Sequence, residues 1–279
     1  MEVHLAAHTH FSIGPIPVTD GLLTAYAITL GCAVFLPLLM RGAGLVPTRF
    51  QAAAEALVEP MMKQFARAFG SEERAREFGP FLLTLMLFIG IANQFSLVPL
   101  VNQVVLDGHP LLRLSTADLS GTLALALLTI GFAHGYALWI SPLRHVGDFV
   151  KVGHLLHAKT GSQRLTAAIE LFLGPMELIS EFAKILSLSF RLFGNIFAGE
   201  LMVVIITSLS AYTQFFVIWP INILGMLVGF IQAFVFTLLS TMFMAQTLRP
   251  YLDLRDARLG RKTEGLIPFS RDPSLTLTP

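Results

Sequence analysis

The chain has 279 residues, 54% of them hydrophobic and only 13% charged, with a net charge of +1 and a mean hydropathy of +0.69. A soluble domain carries about 25% charged residues, so this balance excludes disorder and a nucleic-acid-binding surface, and a single cysteine, Cys32, excludes a disulfide scaffold. The composition is that of an integral membrane protein, its 23 Phe against 4 Tyr and 2 Trp favouring contacts with lipid and other helices.

In chain order, residues 1–20 hold no lysine or arginine and read as a tail outside the membrane. Its His4, His8 and His10 lack the acids or cysteines of a metal site. A helix needs about 20 apolar residues to cross about 30 Å of hydrocarbon. Charge-free runs at Gly21–Met40, Phe78–Leu106, Leu119–Leu143 and Leu201–Leu248 meet that need, the last being long enough for a span, a turn and most of another. Leu165–Leu201 is apolar but carries charges. The expectation is an all-α integral membrane protein of five spans, near 21–40, 78–101, 119–142, 168–209 and 217–248. The last two form a long, steeply tilted hairpin, and 251–279 is a cytoplasmic tail, weakly ordered from 253 onward. Phe50, Ala54, Leu57, Val58, Met61, Phe65 and Phe69 repeat at helical spacing and predict an amphipathic helix on the interface.

Lysine and arginine alternate between poor and rich along the connections: none in 1–20, six in 41–77, one in 102–118, four in 144–164 and six in 249–279. This places the N-terminus outside and the C-terminus in the cytoplasm. No basic residue precedes the first apolar run, so the first helix reads as retained and not as a cleaved signal.

Glu170, Glu177, Lys184 and Arg191 recur every seven residues, about 20° short of two helical turns, so they share one slowly drifting face with Ser187 and Asn195. A charge facing lipid costs at least about 2.5–3.5 kcal/mol, so the stripe must face water, another subunit or a counter-charge. If Arg191 and Gln232 lie level in a hairpin, the turn falls at Ser210–Gln214. Glu200 is then on the outer side of Arg191, and Glu177 and Glu181 on its inner side. Arginine stays protonated and carboxylates exchange protons, so two acid sets flanking a fixed cation suit ion translocation along two offset half-paths.

The segment Ser187-Leu-Ser-Phe-Arg191-Leu-Phe-Gly-Asn195-Ile-Phe-Ala-Gly-Glu200-Leu, followed by Gly229-Phe-Ile-Gln232-Ala-Phe-Val-Phe, resembles subunit a of the F-type ATP synthase. Asn93–Pro99 and Thr116–Leu125 are similar to other membrane segments of that family, and the likeness covers about residues 15–250. It implies a non-catalytic stator subunit passing H⁺ (Na⁺ in some members) beside a c-subunit ring. The implied partners are that ring, the peripheral-stalk b subunits, the rest of the Fo and F1 sectors and the lipid bilayer, with no nucleic acid and no cofactor. The resemblance makes Arg191 the arginine that faces the ring carboxylate, promotes its deprotonation and separates the half-channels. Asn195 and Gln232 are its polar neighbours, Glu200 the outer half-channel acid and Glu177 the acid near the cytoplasmic exit. Ser187 and Lys184 occupy matching positions.

Where some members have a histidine seven residues before the glutamine, this chain has Gly225, so an outer path must use Glu200 with Asp118, Asn222 or water. Asp118 reads equally as a helix cap, since Ser115-Thr116-Ala117-Asp118 precedes an apolar run. Glu200 also suits a residue snorkelling to the interface. Lys184 suits a counter-ion to Glu177 or Glu181, His134 a packed neutral histidine, and His145, His154 and His157 solvated positions in a basic loop. The alternative function is a stand-alone ion-coupled secondary transporter, against which the chain lacks inverted repeats. No P-loop is present, so ATP chemistry belongs to other subunits. The basic loops and long tail point to a bacterial inner membrane ahead of an organelle.

Overall fold

The computed structural model describes residues 9–13, 16–40, 44, 48–95, 105–106, 109–110, 118–149, 161–209 and 211–260. Two short antiparallel hairpins, β1 (Thr9–Ile13) with β2 (Ile16–Thr19) and β3 (Val105–Leu106) with β4 (His109–Pro110), lie outside the helices. The rest is helical: α1 (Asp20–Met40), α2 (Arg49–Phe69), α3 (Glu72–Phe95), α4 (Leu119–Ile140), α5 (Pro142–Phe149), α6 (Gly161–Leu209) and α7 (Ala211–Arg258). Among the described residues, four helical stretches are long and apolar enough to cross a membrane: Glu72–Gln94, Leu119–Ile140, Leu171–Ile206 and Trp219–Arg258. The described apolar part of α1, Gly21–Phe35, is shorter. The chain is an all-α, multi-pass membrane protein.

The amphipathic stripe of residues 50–69 forms α2. Thr48 caps it, its Oγ1 accepting from Gln51 N at 3.3 Å, and Gly70 ends it with φ of 77°, a left-handed conformation that glycine adopts without a Cβ clash. Met61, Phe65 and Phe69 are buried while Phe50 is exposed, so only the second half of the stripe is covered by this chain. That half joins Phe78 and Leu82 of α3 and Met244, Leu248 and Leu252 of α7 in one core. A second core joins Leu85 and Ile89 of α3, Ala126 and Ile130 of α4, Leu188 and Leu192 of α6, and Phe236 of α7.

Two features differ from the sequence expectation. The helix of the second span starts at Glu72, earlier than 78, because Arg74 is paired within the protein and needs no exit to water. Residues 253–258, read as weakly ordered, are helical, since α7 continues to Arg258 with Tyr251, Leu252 and Asp256 buried. The charged segment is one helix, as the long span at 168–209 anticipates: α6 has 49 residues, about 73 Å, and runs through Pro175. The last two helices part between Leu209 and Ala211, at the near edge of the expected turn Ser210–Gln214, whose residues from Ala211 on belong to α7. The residue that meets Gln232 is Asn195, one turn beyond Arg191. Pro99, Thr116, His154, His157 and residues 261–279 lie outside the described residues.

Candidate functional site

The site is built on α6 and α7. Leu188, Ser189 and Leu192 form the buried side of α6, with Ser189 Oγ 3.2 Å from Thr122 Oγ1 of α4. Burying this side turns the opposite one outward: Ala183, Ser187, Phe190, Arg191, Gly194 and Ala198 are all exposed. Arg191 makes no hydrogen bond or ion pair among the described residues. Most of its exposed neighbours on this face are small, so the guanidinium stands above a shallow surface.

Behind it, Asn195 Nδ2 donates to Gln232 Oε1 at 3.4 Å, bridging α6 and α7. Gln232 is 6% exposed and its Nε2 is buried without a hydrogen-bond acceptor among the described residues. An unpaired buried amide donor costs about 1–3 kcal/mol, which leaves this position short of one acceptor. On the far side of α7, Asn93 Nδ2 donates to the Gly229 carbonyl at 3.1 Å and Gln94 Nε2 to the Met226 carbonyl at 2.8 Å. This close approach uses the bare α-carbon of Gly229, where a Cβ would stand 3.1 Å from that of Asn93. Two amides from α3 therefore hold the turn of α7 that carries Gln232.

The structure brings Arg191, Ser187, Asn195 and Gln232 together and separates them from the other predicted residues. Lys184 lies two turns below Arg191, its Nζ donating to Glu181 Oε1 at 2.7 Å and standing 5.6 Å from the Phe243 ring centroid. Of its two candidate counter-ions, Glu181 is the one it meets. Glu177 is exposed, one turn further down. Glu200 lies on α6 beyond Arg191, its side chain outside the described residues. Asp118 stands at the N-cap of α4, its carbonyl accepting from Thr122 N at 3.3 Å, but its carboxylate makes no capping bond.

The structure places one histidine differently from the sequence expectation. His145 is 6% exposed and lies in α5, not in a solvated loop. His134 is half-buried and polar on both sides: Nδ1 is 3.0 Å from His145 Nε2, and Nε2 is 3.3 Å from Glu181 Oε2. An ionisable residue within a span needs a partner, and that rule alone flags His134 and Glu181 as a candidate pair. Burial, with His134 adding to it, pushes the His145 pKa below its ordinary 6.5.

Residues 22–245 match the sequence model of the ATP synthase A chain family. The chain is 32% identical over 254 residues to ATP synthase subunit a of Mycobacterium leprae, covering 86% of this chain and 91% of the relative. It is 33% identical over 239 residues to ATP synthase subunit a of Desulfosudis oleivorans (86% and 88% covered), and 35% identical over 202 residues to that of Desulfotalea psychrophila (72% and 73% covered). A match across four-fifths of the sequence, on helices that cross a membrane, means that the chain belongs to the ATP synthase A chain family.

Proposed function

We propose that the chain is the proton-translocating stator subunit of an F-type ATP synthase, working against a rotating ring of c subunits in a bacterial inner membrane. The observation that carries this reading is Arg191: a permanent cation in the long apolar stretch Leu171–Ile206, outward-facing and unpaired among the described residues. A cation at that depth is stable only with an acidic partner or water, and its own chain offers it none among the described residues. A ring carboxylate passing over the small-residue face supplies the partner.

In this mechanism Arg191 favours the ionised ring carboxylate, so a proton arriving on the ring is released as its site approaches. The same fixed charge repels a proton moving straight across, which keeps the two half-channels apart. Glu200 serves the outer half-channel, with Asp118 in a lesser role. Glu177, Lys184 and Ser187 line the inner side. Asn195 and Gln232 position the arginine's surroundings, and the acceptor that Gln232 Nε2 lacks is available from water or the ring. The domain reading follows: a single membrane unit over 21–250 with the N-terminus outside and the residues after it in the cytoplasm.

The test is disulfide crosslinking in membranes, with cysteine placed at Gly194, beside Asn195 on the exposed face, and opposite it on the essential carboxylate's helix of a co-expressed c subunit. A crosslink is the expected result. Its absence with assembled protein turns the Arg191 face toward something other than the ring and refutes this mechanism.

A further inference from the structure

Five side chains from four helices form a continuous polar array buried at the α5 end of the bundle. Glu181 Oε2 is 3.3 Å from His134 Nε2, and His134 Nδ1 is 3.0 Å from His145 Nε2. His145 Nδ1 is 2.8 Å from the Tyr251 oxygen, and the Tyr251 hydroxyl donates to Asp148 Oδ2 at 2.5 Å. Tyr251 is 3% exposed, and the backbone closes over the array where Gly174 of α6 meets the Phe149 carbonyl of α5, a contact that leaves no room for a Cβ. Lys184 pairs with the other oxygen of Glu181, and Arg144 and Glu177 act on Tyr251 electrostatically.

Counting protons shows what this array does. It has four gaps, and each needs one proton to become a hydrogen bond. Two neutral imidazoles and one phenol bring three, and ionised carboxylates bring none. With Tyr251 donating to Asp148, His145 must donate to Tyr251 and His134 to His145. His134 Nε2 and Glu181 Oε2 then face each other as two acceptors. Glu181 Oε2 is buried, 3.3 Å from His134 Nε2, and makes no well-aligned hydrogen bond among the described residues. With both imidazoles neutral and both carboxylates ionised, the array is one proton short and the vacancy falls at Glu181.

We propose that Glu181, His134, His145, Tyr251 and Asp148 form a proton relay that connects the charged face of α6, about 15 Å below Arg191 along the helix, with the α5 surface. This rests on the proton-translocating function proposed above and adds a route for its inner side. A proton arriving on Glu181 fills the vacancy. Glu181 then gives its proton to His134 Nε2, and His134 passes its Nδ1 proton to His145 Nε2. His145 passes its Nδ1 proton to the Tyr251 oxygen, and Tyr251 passes its own to Asp148, which releases it to water. Each group gains one proton and loses one. Rotation of the Tyr251 hydroxyl and turning of the two rings restore the starting state.

The test uses the assembled synthase in membrane vesicles, reading passive proton flow after the catalytic sector is stripped, and subunit content as the measure of assembly. His134→Ala is expected to cut flow by at least about a hundredfold, the lower end of the range for a lost proton-transfer group. Added imidazole is expected to restore part of that flow, whereas pyrazole, of the same shape but scarcely basic, is not. Unchanged flow, or equal rescue by both rings, overturns the relay and leaves a structural clasp. Should His134→Ala fail to assemble, Tyr251→Phe decides, because it keeps the ring and removes one proton: reduced flow supports the relay and unchanged flow refutes it. Arg191→Ala separates the two proposals. If it uncouples the enzyme while the relay variants conduct normally, only the relay falls; if it too leaves coupling intact, the function proposed above falls with it.

Discussion

Arg191 of α6 and Arg74 of α3 are the same residue type, and the protein treats them in opposite ways. Arg74 has a side chain 4% exposed; its Nε and Nη2 donate to Asp256 at 3.1 and 2.7 Å, and Nη2 also donates to Asp253 at 2.7 Å. Beside it Arg255 clasps Glu77 of α3 through both terminal nitrogens, and Arg249 donates to the last carbonyls of α2. Arg191 is exposed and has none of this among the described residues. A cation paired within its own chain ties helices together, whereas one left open in an apolar span ties none among the described residues.

The sharpest way to break this comparison is Arg191→Ala. Coupled ATP synthesis is expected to be abolished while helix content and assembly survive, measured on reconstituted vesicles; retained coupling, or a chain that no longer assembles, would make Arg191 structural like Arg74. Arg74→Ala should do the converse. It leaves Asp256, 11% exposed in its side chain, with only the longer 3.4 Å contact to Arg255, so the loss should approach but not exceed the about 3–5 kcal/mol of a broken buried pair. The α3–α7 junction should become protease-sensitive in detergent, and an unchanged cleavage pattern would deny the pair its structural role.

A smaller effect is expected for Gly174→Ala, where the new methyl meets the Phe149 carbonyl and must push α5 aside, at about 1–3 kcal/mol for an overpacked contact. Hydrogen exchange over residues 142–149 reads it directly. The smallest effect is one of pH. His145 has a folded-state pKa below its unfolded 6.5, so the unfolded form binds protons first. Docking of α5 is therefore at full strength above 6.5 and weakens as pH falls toward the folded value. A lower protection factor for the α5 amides at pH 5.5 than at 7.5, with exchange corrected for its intrinsic pH dependence, is the expected sign, and the reverse would mean that His145 docks charged.

Much of this architecture is legible in the residues themselves. Length and hydropathy give most of the spans, the spacing of Met61, Phe65 and Phe69 gives α2, and setting Arg191 level with Gln232 puts the turn within a few residues of where the helices part. These are local or nearly local rules. The polar array is not local: His145 and Tyr251 are 106 positions apart, and no spacing rule says that an eight-residue helix folds back to bury the histidine. The extension of α7 to Arg258 depends likewise on partners from α3, since Asp253 and Asp256 read as surface acids until Arg74 is known to meet them. The exposure of Arg191 is an intermediate case. The stripe is visible in sequence, but which face stays open is decided by Leu188 and Leu192 packing against α4 and α7.

The grip of Asn93 and Gln94 on the Gly229 and Met226 carbonyls carries an asymmetry between its two sides. Every residue owns a carbonyl, so the acceptor at 226 outlasts almost any exchange of its side chain, whereas each donor is lost with a single codon. Mutational tolerance along this seam should therefore be lopsided. Position 226 should accept many apolar replacements, position 229 only the smallest, and positions 93 and 94 very few.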